Sequence, residues 1–202
     1  MLPASVLAII AGYVDAVGYL HFDAFAGLMT GNTIFLGIEL ATQQYARAAF
    51  HSLIIIAFLA GVMLSRILLR LGWKPWLALT GTALLLVVCS FVERSWAAVL
   101  LAFAMGMQNS AANRFNGVAL NTVFITGNLQ KFGEELIAWL WPTDEPRSAG
   151  GGVLIFGLVW VSYAVGALLG ALAQQFMPLP LLIPAALLPF AMLRVGARRP
   201  AP

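Results

Sequence analysis

Residues Thr30–Leu40 read TGNTIFLGIEL, and residues Thr126–Leu136 read TGNLQKFGEEL. Laid over each other at an offset of 96, they agree at six of eleven positions: the Thr-Gly-Asn triplet, Gly37 with Gly133, Glu39 with Glu135, and Leu40 with Leu136. Thr, Gly and Asn suit the start of a helix. The helices that follow, 31–43 and 127–141 by their apolar pattern, are shorter than the roughly 20 residues a bilayer requires. They read as two broken helices, with the rest of the chain as their frame.

Composition places that frame in a membrane. The chain has 202 residues, 61% hydrophobic and 9% charged, where a soluble domain carries about 25% charged residues. So few charges cannot cover a surface facing water. A net charge of +3 could suggest nucleic acid, but the basic residues sit between apolar runs and act as topology signals, so no nucleic-acid partner is expected. Cys89 is the only cysteine, which rules out a disulfide within the chain and hints at no metal cluster. The opening MLPASVLAIIAGYVDAVGYL has no basic first region and carries Asp15 in its apolar run, so it reads as a first membrane helix rather than a signal peptide.

The chain then repeats itself. Ala4, Ala8, Gly12 and Ala16 in the first span (3–20) fall on Ala98, Ala102, Gly106 and Ser110 in the span 95–112 at an offset of 94, which also puts Asp15 on Asn109. Ala57, Gly61 and Ser65 in the span 48–70 fall on Ser162, Gly166 and Gly170 in the span 153–175 at an offset of 105. Small residues four apart let membrane helices pack closely, and an offset growing from 94 to 105 is what loop insertions produce. The spans 75–92 and 179–195 complete the halves, read as repeat one (1–94) and repeat two (95–202).

Charge decides the topology. If each short helix enters and leaves on one side, each half has three true spans and the second half is inverted. With both termini cytoplasmic, the inner side then holds every basic residue of the eleven except Arg47 and Arg94. If the short helices cross fully, the halves run parallel and six arginines fall outside, against the rule that short cytoplasmic loops are the basic ones. The expected fold is therefore an all-α, 3+3 inverted repeat with six transmembrane helices and two re-entrant short helices. Reaching the midplane of a roughly 30 Å core takes about 15 Å, which nine extended residues provide at about 3.3 Å each.

Both short helices then begin near the midplane with their N-termini facing each other. Each N-terminus carries about half a positive charge and unpaired N–H groups, a setting for an anion or carboxylate. Thr30, Gly31, Asn32, Thr126, Gly127 and Asn128 are the expected substrate contacts, through hydroxyls, amides and close backbone approach; the bland alternative is that Thr and Asn merely cap the helices. Gln108 and Asn109, with Asn113, form one polar helical face and are further candidates. Three roles are open to Asp15: a coupling site for a proton or sodium, a partner for Arg114, or a structural hydrogen bond. Arg114 either completes an anion site or marks the cytoplasmic edge. Glu39 and Glu135 end the short helices, where a carboxylate is disfavoured, so each needs a partner or water. The six Trp residues sit mostly near span ends, as an interfacial belt does. No hydrolase, zincin or phosphate-loop motif occurs, so no enzyme, metal or cofactor is expected.

The stretches GYVDAVGYLHFDAFAGLMTGNTIFLG (12–37) and LLAFAMGMQNSAANRFNGVALNTVFITGNLQKFG (100–133) resemble the YoaK-like family of bacterial inner-membrane proteins. The resemblance rests on the Asp-x-x-Gly-Tyr run, the paired Thr-Gly-Asn motifs and the Gly-x-Gln-Asn run, and covers nearly the whole chain. It implies a multi-pass protein of the bacterial inner membrane and supplies no substrate or mechanism. One departure is the short N-terminus, which lacks the leading polar segment expected there. The residues themselves point to a small secondary transporter or channel for an anionic solute; the alternative is a non-transporting structural or assembly protein. A small-residue face such as Gly166/Gly170 offers either a homodimer contact or packing between the halves.

Overall fold

The computed structural model describes residues 2–111, 114–115, 118–119, 125–141 and 151–195. Eight helices account for nearly all of them: α1 (Leu2–Phe22), α2 (Met29–Ala41), α3 (Tyr45–Arg70), α4 (Pro75–Cys89), α5 (Arg94–Ala111), α6 (Ile125–Leu140), α7 (Gly151–Phe176) and α8 (Leu182–Val195). The irregular stretch expected over 113–125 contains a two-residue antiparallel pair, Arg114–Phe115 with Val118–Ala119. Three helices are long and apolar enough to cross a membrane: α1, α3 and α7. The apolar helix α4 and the stretch 182–191 are shorter; fifteen residues make about 22 Å.

Burial explains the layout. α1 lies inside, with Leu7, Ile10 and Val14 fully covered, and α5 matches it with Leu101 and Met105. α3 and α7 turn Ile56, Leu59, Met63, Leu154 and Leu168 outward. An apolar row of that kind on a soluble protein would cover itself; against lipid it needs no cover. All six Trp residues are exposed, as an interfacial belt requires.

α1 packs on α7 and α3 packs on α5, and both crossings are made by glycine. A side chain on Gly12 would collide with the Tyr163 carbonyl and meet Ala167 N; one on Gly106 would collide with the Phe58 carbonyl and meet Val62 N. Gly166 lies on Ile9 and Gly61 on Phe103 in the same manner. Each contact of one crossing becomes a contact of the other under the offsets 94 and 105 read from the sequence. The remaining contacts pair off similarly: α2 on α3 and α6 on α7, α4 on α5 and α8 on α1, and α4 on α8. Gly166 and Gly170 are both pressed against α1, so the small-residue face suggested for a homodimer is occupied within the chain.

One end of the bundle gathers the C-terminal ends of α1, α4 and α7 with the N-terminal ends of α3, α5 and α8. Arg94 reaches Asp23 at 3.8 Å, Gln174 meets His21 at 3.0 Å, and Tyr13 donates to the Pro180 carbonyl at 2.8 Å. Gln108, late in α5, donates to the Leu7 carbonyl early in α1. α1 and α5 therefore run antiparallel.

Candidate functional site

α2 begins beside the middle of α1. The chain turns at Asp23, in a left-handed conformation (φ 58), and folds back until the Gly27 and Leu28 N–H groups donate to Asp15 Oδ1 at 2.6 and 3.3 Å. The Tyr163 hydroxyl donates to Asp15 Oδ2 at 2.7 Å. Asp15 is 2% exposed. A carboxylate received at a helix N-terminus is the arrangement the helix dipole favours; here the carboxylate is the chain's own.

This accounts for several differences from the sequence-based expectation. The bland alternative, in which Thr30 and Asn32 cap α2, is not what forms: the helix starts at Met29 with Leu28 at the cap position and no side-chain cap bond. Asp15 supplies the acceptor from another helix, so the triplet moves into the first turn. The Met29 N–H goes to the Gly27 carbonyl, and those of Gly31 and Asn32 to Leu28. Few N–H groups at this tip are left for a solute. Asn32 is buried and ties down the loop, its amide donating to the Phe25 carbonyl at 2.7 Å and its oxygen accepting from the Phe25 N–H at 2.9 Å. Gly31 makes room for the Phe25 ring, which a Cβ would meet at 2.7 Å. Tyr19, Phe25 and Phe35 stack in parallel, with centroids 5.0–6.1 Å apart, and clamp loop and helix together. Thr30 is exposed.

At the second tip Asn128 is again buried, while Thr126 and Gly127 are exposed and, among the described residues, a Cβ on Gly127 would meet nothing within 4 Å. Asn109, the counterpart of Asp15 by sequence offset, has a buried Oδ1 without a partner among the described residues. Gln108 is fully buried with its Oε1 unpaired. Its amide points to Leu7, eight residues from Asp15 or about 12 Å along α1, so it is not part of the Asp15 cluster. Asn113 and the side chain of Arg114 lie outside the described residues. Among the described residues Asp15 takes Gly27, Leu28 and Tyr163 as hydrogen-bond partners. Among the described residues, the main contacts of the short helices are α2 on α3 and α6 on α7.

The sequence reading missed a second polar cluster where α2 ends. Glu39, 5% exposed, receives His51 Nδ1 at 2.8 Å on Oε2 and Arg47 Nε at 3.3 Å on Oε1. His51 Nε2 meets the Asp23 carbonyl at 3.1 Å. Both ring nitrogens thus lie within hydrogen-bond distance of an oxygen, and Glu39 is shared between His51 and Arg47. The signal was available: Arg47 and His51 lie four apart on one face of an otherwise apolar helix, across a tight turn from a helix-ending Glu.

The chain is similar to known proteins over most of its length. It is 27% identical over 185 residues to the UPF0700 transmembrane protein YoaK of Bacillus subtilis (strain 168), covering 84% of this chain and 82% of that protein. It is 27% identical over 171 residues to the UPF0700 transmembrane protein RA0705 of Rhizobium meliloti (strain 1021), covering 82% of this chain and 72% of that one. No solved structure matches. Residues 4–194 match the family described as "Protein of unknown function (DUF1275)". With its apolar helices, outward-facing aliphatic rows and transmembrane relatives, the chain is a membrane protein and belongs to the DUF1275 family.

Proposed function

We propose that the chain is a small secondary transporter or channel of the bacterial inner membrane for an anionic or carboxylate solute. In this reading it is a 3+3 inverted repeat, 1–94 and 95–202, with both termini cytoplasmic. α1, α3, α4, α5, α7 and α8 are the spans, and α2 and α6 are re-entrant. Several observations support it. α1 and α5 run antiparallel, and the helix contacts map onto themselves when the halves are exchanged. α2 starts level with Asp15 and ends level with Asp23, so it returns to the end of the bundle from which its loop came. Arg47 and Arg94, the two basic residues assigned outside, are both at that end. Broken helices meeting inside an inverted repeat are a recurrent transporter design.

The observation that carries the reading is the inequality of the tips. At α2 a carboxylate, Asp15, already occupies the helix N-terminus; at α6 the equivalent position is the neutral Asn109. A solute carboxylate would complete the second tip, on Thr126, Gly127 and Asn128, as Asp15 completes the first. Thr30 and Asn32 would then hold the α2 tip in place. Asp15 is suited to proton coupling, because the Tyr163 hydroxyl can accept as well as donate. A proton arriving on Oδ2 reverses that bond and leaves the loop anchor on Oδ1 intact.

Flux of small carboxylates into proteoliposomes tests this. The wild type is expected to transport, Asp15→Asn to lose dependence on a proton or sodium gradient, and a cysteine at Thr126 to react with a polar thiol reagent. No flux of any anion, with that cysteine unreactive, would favour the second reading: a structural or assembly protein of the membrane. What favours that reading is that Asp15, Asn32 and the N–H groups leading into α2 are all engaged internally.

A further inference from the structure

At the end of the bundle where α1 finishes and α3 and α5 begin lies a cavity of about 260 Å³ lined by Phe22, Asp23, Arg47, Phe50, Arg94 and Ser95. We propose that it binds a small monocarboxylate with an apolar body, held by the two guanidinium groups against the two phenyl rings. Each arginine is only partly committed. Arg47 uses Nε alone on Glu39, at 3.3 Å, which leaves its terminal nitrogens to form a fork for a second acceptor. Arg94 holds Asp23 by one long contact of 3.8 Å, between side chains 58% and 67% exposed. A carboxylate accepting two N–H groups in plane replaces that contact with better geometry.

The arrangement around the arginines fixes the class of ligand. Glu39 lies behind Arg47, on its Nε, and is not part of the cavity lining. Two arginines and Asp23 then give the lining one excess positive charge, which suits a monoanion and leaves a dianionic phosphate under-compensated. Phe22 and Phe50 reward burial of an aromatic or branched body. The cavity is smaller than those that hold drug-sized ligands, which limits the ligand to roughly benzoate size. Ser95 gives its N–H and hydroxyl to Glu93, at 3.1 and 3.2 Å, and shapes the rim. The Asp23 backbone is fixed from two sides, its N–H on the Tyr19 carbonyl and its carbonyl on His51, so the cavity is formed before a ligand arrives.

If the chain is a transporter, this is the outer station through which a carboxylate approaches the short helices; that role rests on the transport reading, whereas the binding does not. The test is thermal stabilisation of the full chain in detergent by sodium benzoate, against sodium chloride, the neutral isostere benzamide and sodium phosphate. Benzoate is expected to raise the Tm and the other three to leave it unchanged. Arg94→Gln, whose partner is exposed, is expected to weaken benzoate at least roughly tenfold, the value of a hydrogen bond to a charged group, without lowering the Tm of the free protein. Asp23→Asn, which releases Arg94, is expected to tighten it. An equal shift with benzamide or phosphate, no shift with benzoate, or a full benzoate response in Arg94→Gln would overturn the proposal. Benzoate binding without carboxylate flux would support the cavity and sink the transport reading; flux without benzoate binding would do the reverse.

Discussion

The tip of α2 and the tip of α6 correspond by the sequence offset and carry different chemistry. At α2, Asp15 holds the incoming loop, Gly31 admits Phe25, and Asn32 binds Phe25 at both its N–H and its carbonyl. At α6, Asn109 stands at the sequence position of Asp15, and among the described residues its oxygen has no partner and a Cβ on Gly127 would meet nothing within 4 Å. Further along, His51 meets the Phe35 ring at 5.3 Å, while at the equivalent positions Lys131 lies 5.4 Å above the Phe156 ring. Arg47 pairs with Glu39, while its counterpart Gly152 lies against Glu135. The glycine crossings match under the sequence offsets, and the polar residues around them differ.

The largest effect is expected where the halves agree. Gly12→Ala and Gly106→Ala each drive a methyl into a carbonyl of the facing helix, which only a backbone shift relieves. Overpacking of this kind costs about 3 kcal/mol or more, so both variants should lose monodisperse protein to a similar extent. Gly37→Ala and Gly133→Ala, with nothing within 4 Å, should be neutral or gain up to about 1 kcal/mol from helix propensity. If only one of the two crossings is sensitive, the equivalence of the halves is superficial.

A smaller effect should separate the tips. Asp15→Ala strips two backbone N–H groups and the Tyr163 hydroxyl of their acceptor inside the bundle, at about 2–3 kcal/mol. Asn109→Ala removes an oxygen that has no partner among the described residues and should cost under about 1 kcal/mol. Thermal unfolding in detergent compares them directly. Equal losses would mean that Asn109 holds its loop as Asp15 does, and the idea of an unoccupied second tip would fall.

Much of the frame could be read from the sequence, because a membrane helix announces itself by a long apolar run and a glycine contact by its spacing. The expected spans 3–20, 48–70 and 95–112 differ from α1, α3 and α5 by at most three residues at either end. The short helices were placed within two residues of α2 and α6 for the same reason. The contents of the tips were less legible. That Asp15 caps α2 depends on the chain doubling back by twelve residues, which no local periodicity records. The Glu39–His51 pair depends on a turn at 42–44, where Gln43 adopts a positive φ of 58 without the glycine or asparagine that would have marked it.

The finest test exchanges the chemistry between halves. His51→Phe gives α3 the residue that α7 has at Phe156, and removes the hydrogen bonds to Glu39 and the Asp23 carbonyl. Arg47 remains on Glu39, so the expected loss is about 2 kcal/mol rather than the full cost of a bare buried charge. Adding Phe35→Lys then places an ammonium where Lys131 sits over Phe156. That contact is worth about 0.5–1 kcal/mol near a surface, and the new charge also lies close to Glu39. The double variant should therefore recover part of the loss, although Phe35→Lys alone, which breaks the stack with Tyr19 and Phe25, should destabilise. The sign of the coupling in this double-mutant cycle decides the matter. A recovery would mean that each half accepts the other's polar set within one shared geometry. Simple additivity would mean that the two halves have kept the same backbone while losing the ability to exchange what it carries.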